Sequence, residues 1–142
     1  MEKVTKPHLL TLLLIVCMFA LLCLSACNRT YYFEKEGIYL SDSPFIQLDC
    51  ISKTGSMIID GTAHQLHLGY AHDGTYIKIY DKDVREQLER DENGYIIDLD
   101  AALLWKADTE EKDGKLYLTV TEDNISNYVG KTIVLEFRSY EE

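Results

Sequence analysis

Positive charge is scarce in this 142-residue chain: 14 lysines and arginines stand against 24 aspartates and glutamates. A nucleic-acid-binding domain needs a basic stripe, so the shortage argues against that class of partner. Signatures of catalysis are missing too. No Gly-x-Ser-x-Gly elbow, no Gly-rich phosphate loop and no histidine or cysteine motif of a hydrolase occurs. Repeats and low-complexity tracts are absent, which removes solenoids and arrays. Carboxylates are so numerous that choosing two as a glycosidase pair is arbitrary, because the test is their separation in space. No enzyme class and no cofactor is indicated.

What is present is unevenly distributed. Of the first 26 residues 18 are apolar, whereas all eight glycines, all ten tyrosines and 23 of the 24 carboxylates come later. Lys3 and Lys6 precede an apolar run from Leu9 to Leu24, broken only by Thr11. A charged start followed by such a run is the layout of an export signal, and the positive-inside preference sends the remainder across the membrane. The run also reaches the roughly 17 residues that spanning requires, so an uncleaved transmembrane helix is the competing reading.

The residues Leu24-Ser25-Ala26-Cys27 favour removal. They resemble the lipobox of bacterial lipoproteins, an aliphatic residue and two small ones ahead of a cysteine. The resemblance implies cleavage after Ala26, a diacylglycerol thioether on Cys27 and palmitate-type acylation of the new amino group. Cys17 follows Ile15-Val16 and Cys23 follows Leu21-Leu22, so neither has the small neighbours that a peptidase cleft needs. The domain organisation expected is a signal peptide over 1–26, a lipidated tether over 27–36 and a folded domain over 37–142. Two acyl chains hold a protein stably where one holds it marginally. The expected location is the extracytoplasmic face of the cell membrane. From Cys27 onward 12 cations face 23 carboxylates, a net charge of −11.

Processing leaves Cys50 as the sole unmodified cysteine, so the mature chain has no internal disulfide despite its export. Cys50 shares a strand face with Ile46 and Leu48 and is expected to be a small buried hydrophobe.

The folded part reads as all-β. Asp60-Gly61, Asp73-Gly74, Asn93-Gly94 and Asp113-Gly114 are turn dipeptides that supply the positive φ of tight hairpins. Between them run short alternating segments. Tyr76–Tyr80 sets Ile77 and Ile79 against Tyr76, Lys78 and Tyr80, and Lys115–Thr121 sets Leu116, Leu118 and Val120 against Tyr117 and two threonines. Further strands are expected at Gly37–Leu40, Phe45–Ile51, Ser56–Asp60, His64–Ala71, Tyr95–Leu99, Leu103–Asp108 and Lys131–Arg138. Asp81–Arg90 suits one or two helical turns, Asp123–Tyr128 a corner, and the acidic run Asp108–Asp113 a hairpin tip. About eight strands as an antiparallel meander favour a small closed barrel or a sandwich, since closure removes sticky edges.

No metal site is expected. His64 and His67 point to opposite faces of a strand, and His64 and His72 lie ~26 Å apart along a straight one. Asp91-Glu92-Asn93-Gly94-Tyr95 starts like a calcium loop, but Tyr95 replaces a ligand and Gly94 comes early. The better lead is aromatic. Tyr76, Tyr80 and Tyr117 sit opposite the aliphatic faces and Trp105 lies near the acidic run, so these four form the expected binding face. Such rings offer large area at low entropic cost.

Asp113–Asn124 followed by Gly130–Glu136 resembles the closing hairpin of small uncharacterised lipoproteins of Firmicutes, which implies a β-rich, lipocalin-like outline and no assigned activity. Leu104-Trp105-Lys106-Ala107-Asp108 is more weakly similar to a strand of membrane-bound lysozyme inhibitors, although their Ser-Gly motif and a disulfide partner for Cys50 are lacking. The expected function is a non-catalytic β-domain, moored in the cell envelope, that binds a small ligand or an envelope protein. An acidic inhibitor or immunity protein against a cationic hydrolase such as lysozyme is the alternative, which salt-sensitive inhibition would single out. An envelope hydrolase is a third reading, supported only if a deep pocket holds paired carboxylates of shifted pKa.

Overall fold

The computed structural model describes residues 6–27 and 31–141. Lys3 and the tether residues Asn28, Arg29 and Thr30 lie outside the described residues. The chain divides into two units, the second starting at Tyr31. In the first, helix α1 (Lys6–Cys27) carries exposed apolar side chains from Leu9 to Phe19, and Ala26 and Cys27 fall at its end.

The second unit is a closed eight-stranded barrel. Its strands are β1 (Gly37–Asp42), β2 (Phe45–Asp49), β3 (Thr54–Ile59), β4 (Thr62–Tyr70), β5 (Tyr76–Asp81), β6 (Leu103–Lys112), β7 (Lys115–Asp123) and β8 (Thr132–Ser139). Each pairs antiparallel with the next, and β8 returns to β1 with Leu40 opposite Glu136. Gly37 sits in this seam, where a Cβ would collide with the Arg138 carbonyl and the Phe137 ring. Two tight hairpins form where the dipeptides predict them. Asp60-Gly61 joins β3 to β4 and Asp113-Gly114 joins β6 to β7, with all four residues at positive φ, the I′ geometry that matches strand twist.

Period-2 alternation places Ile46, Leu48, Met57, Leu66, Leu68, Ile77, Ile79, Leu116 and Leu118 inward, all fully buried. An eight-stranded barrel is just wide enough for side chains to fill, and here they do. The ends are closed as well. At the N-terminal pole the 3-10 turn Tyr32–Glu34 inserts Tyr32, whose hydroxyl donates to the Tyr76 carbonyl at 3.2 Å. At the far pole the 124–131 corner lays Tyr128 over Trp105, ring centroids 5.3 Å apart. The lumen is therefore a core and not a lipocalin-type ligand chamber. Outward positions on the wall carry Lys78, Lys106, Glu136 and Arg138, the reverse of the apolar exterior of a transmembrane barrel.

Several expectations are corrected. Tyr95–Leu99 forms no strand: Ile96 makes one bridge with Arg90 inside a 21-residue connection from β5 to β6, and the eight-stranded ring is already closed. The helix there shrinks to α2 (Lys82–Glu86), capped by Asp81, whose carboxylate accepts from the Val84 N–H at 3.0 Å. Asp73-Gly74 lies in a five-residue loop, not a two-residue hairpin. The acidic run Asp108–Lys112 is strand and only Asp113 belongs to the hairpin tip. The packed unit starts at Tyr31, six residues before the strand-based boundary at Gly37, because Tyr32 is part of the core.

One carboxylate organises the far-pole corner. Asp123 accepts from the backbone N–H groups of Ile125, Ser126 and Tyr128 and from the Ser126 hydroxyl, at 2.7–2.9 Å. Burial alone would raise its pKa, but these four donors outweigh burial and hold it below the usual carboxylate range. A depressed native pKa gives stability that is present above the unfolded value of ~3.9 and is lost as pH falls through the native one. Asp123→Asn is therefore expected to be destabilised near neutrality by about 1–3 kcal/mol. Its deficit relative to the parent should shrink in urea melts between about pH 5 and pH 2. A deficit that stays constant over that range would show that the carboxylate charge does not hold the corner.

Candidate functional site

The four aromatic residues of the expected binding face part company in the structure. Trp105 is fully buried in the barrel, and Tyr80, though on the outer face of β5, is only 4% exposed. Tyr80 is covered by the long 82–102 connection, where it packs with Ala102, Leu103, Leu88 and Leu99 in a small second core. Trp105 lies opposite Ile79 and Ala107 opposite Ile77, so alternation turns the indole inward. At the register shift between Ile79 and Tyr80 both Leu103 and Leu104 are buried beside it. Tyr80 and Trp105 are thus buried, whereas Tyr76 and Tyr117 stand half-exposed on the outer wall.

Tyr117 stands outward on β7, opposite Val134 of β8 on one side and Glu110 of β6 on the other. Shallow grooves border it on both sides. One, about 430 Å³, runs toward β1 between Lys115, Glu136, Arg138 and Asp42. The other, about 310 Å³, runs toward β6 between Asp108, Glu110, Thr119 and Thr132. The Thr119 and Thr132 hydroxyls lie 2.9 Å apart across the strands, and Lys115 approaches Glu136 at 4.0 Å. Tyr76 lies opposite Asp108 in the next row, its ring beneath the Lys106 ammonium at 4.9 Å. The wall from β5 through β8 to β1 is thus a polar strip with two tyrosines, paired hydroxyls and charges of both signs. Such a surface can stack on and hydrogen-bond a polar ligand.

No protein-family model, curated protein or solved structure matches the chain.

A second polar cluster escaped sequence reading. At the N-terminal pole Glu111 accepts from Lys35 Nζ at 2.6 Å and from the Tyr39 hydroxyl at 2.5 Å. Burial first, and the Glu111 carboxylate second, push the Tyr39 phenol well above its ordinary pKa, so it remains a donor. Tyr39 and Lys35 lie 72 and 76 residues from Glu111 in sequence, so no local pattern announces the cluster. The cluster closes the barrel end under partial burial, with the Lys35 ammonium and the Tyr39 hydroxyl both directed at Glu111.

Cys50 is 1% exposed, and burial, aided by the Asp49 and Glu111 charges, pushes its thiol up to about 12. Thiolate character, the source of cysteine reactivity, is suppressed there. Among the described residues no group of three potential ligands gathers for a metal. His64 instead sits 3.5 Å from Asp81, His67 lies beside the Tyr80 ring, and His72 is exposed in the β4–β5 loop.

Proposed function

We propose that this chain is a bacterial lipoprotein, cleaved before Cys27 and acylated there, whose barrel is a non-catalytic binding domain on the outer side of the cell membrane. The strip around Tyr117 is its ligand-binding wall. The observation that carries the binding part is the pairing of a filled lumen with two grooves meeting at one half-exposed tyrosine. A filled barrel must bind on its exterior, and Tyr117 is the side chain common to both grooves.

Photo-crosslinking in intact cells tests the wall. A benzophenone amino acid at position 117 is expected to yield one dominant crosslinked species, whereas the same group at position 84 on α2 should not. Tyr117→Ala is expected to change stability by less than about 0.5 kcal/mol, as for surface substitutions generally. No crosslink at 117, or a crosslink equally strong at 84, would contradict the assignment. A large loss of stability in Tyr117→Ala would place the ring in the core instead.

A further inference from the structure

The N-terminal pole of the barrel is where the chain enters, and its attachment there is tight. Tyr32 is inserted in the core, and the rings of Tyr31, Phe33 and Tyr70 stack in series with centroid distances of 5.4 and 4.6 Å. The tether expected over 27–36 is therefore shortened, because Tyr31 already belongs to the packed unit. From Cys27 to Tyr31 is four residues, which reach at most about 14 Å. The alternation of antiparallel strands brings the connections at 50–53, 71–75 and 113–114, together with Tyr140 and Glu141, to this same pole.

Two features of this pole suit a lipid surface. Ile51 and Tyr140 are 47% and 52% exposed, and both are tied to Asp49, which accepts from the Ile51 N–H at 3.1 Å and from the Tyr140 hydroxyl at 2.5 Å. Lys53 lies over the Tyr70 ring at 5.6 Å, beside the aromatic stack. Tyrosines with nearby lysines are the side chains that settle at a headgroup boundary, apolar body inward and polar tip wet. Charge is also polarised along the barrel. The N-terminal pole (31–36, 49–53, 71–75, 111–115 and 138–141) holds seven carboxylates against five cations, and the far pole (42–45, 60–61, 81–102 and 122–131) holds twelve against four. Strands of five to ten residues set the poles ~20–30 Å apart, well beyond the ~8 Å screening length at physiological salt. Turning the barrel over would press the acidic pole onto an anionic surface.

Resting on the lipoprotein reading, we infer that the barrel does not swing freely on its anchor. Its N-terminal pole sits on the bilayer, with Ile51 and Tyr140 at the headgroup boundary, and holds the far pole outward. The exposed Tyr95 and Ile97 of the long connection then face away from the membrane, and the Tyr117 wall stands along its flank.

The test uses the full acylated chain in vesicles of phosphatidylethanolamine and phosphatidylglycerol. An environment-sensitive fluorophore is placed on Ser52→Cys or Tyr95→Cys, Cys50 being buried and Cys27 occupied by lipid. Flotation with the vesicles establishes the anchor first. Among floating protein, a spin-labelled lipid with its nitroxide near the headgroup is expected to quench most of the emission from position 52, with a blue shift, and none from position 95. Ile51→Ser with Tyr140→Ser should abolish the quenching without releasing the protein. Floating protein with no quenching at 52, or with quenching at both positions, overturns the fixed orientation while leaving the anchor intact. A chain that never floats overturns both.

Discussion

Trp105→Ala is expected to cost about 3–5 kcal/mol, the range for removing a large buried aromatic side chain. For a domain of this size that corresponds to a melting temperature lower by roughly 10–20 °C, enough to unfold much of the population. The ring is fully buried, contacts Tyr128 of the corner that closes the far pole, and shares the core with the inward residues of β5 and β7. Its indole Nε1 has no hydrogen-bond partner among the described residues. Trp105→Phe, which removes that orphan donor and keeps most of the apolar volume, should lose far less. Calorimetry on the domain from Tyr31 onward measures both. An alanine variant that melts within a few degrees of the parent would contradict the assignment of Trp105 to the core and would return it to the binding face.

Cys27→Ala is expected to have the second large effect, which is on location and not stability. The packed unit starts at Tyr31, so a substitution at position 27 removes no core contact and should leave the melting temperature unchanged. Without a thiol no thioether forms, and the residue proposed to carry both chains of the anchor is gone. Labelled palmitate should not enter the variant, and the chain should keep its 26-residue leader. Cys17→Ala and Cys23→Ala are the internal controls and should be acylated as the parent is. Label incorporated equally into the Cys27 variant would contradict the proposal.

Most of the barrel is legible in the sequence because its signals are local. Alternating residues at 76–80 and 115–121 specify both strand and inward face, and Asp60-Gly61 and Asp113-Gly114 specify the two tightest turns. What is not legible depends on contacts distant in sequence. Tyr95–Leu99 has a strand's composition, but a strand needs an open edge, and closure of β8 on β1 leaves none. Tyr80 faces outward as its parity requires, yet the 82–102 connection folds back over it, which alternation cannot reveal. Trp105 shares the inward parity of Ala107, the two lying opposite Ile79 and Ile77, so alternation does place it in the core. Its nearness to the acidic run is what points the wrong way. The site is legible to the same degree. Tyr76 and Tyr117 stand on the outer wall, but the grooves that single out Tyr117 come from β1, β6 and β8 together.

The proposed lipid anchor would decide where all of this operates, and one mass measures it. Protein extracted with detergent from bacterial membranes and measured intact should begin at Cys27 and carry the added mass of a diacylglycerol, with or without an amide-linked acyl chain. A mass equal to the unmodified chain with Met1–Ala26 still attached would contradict it.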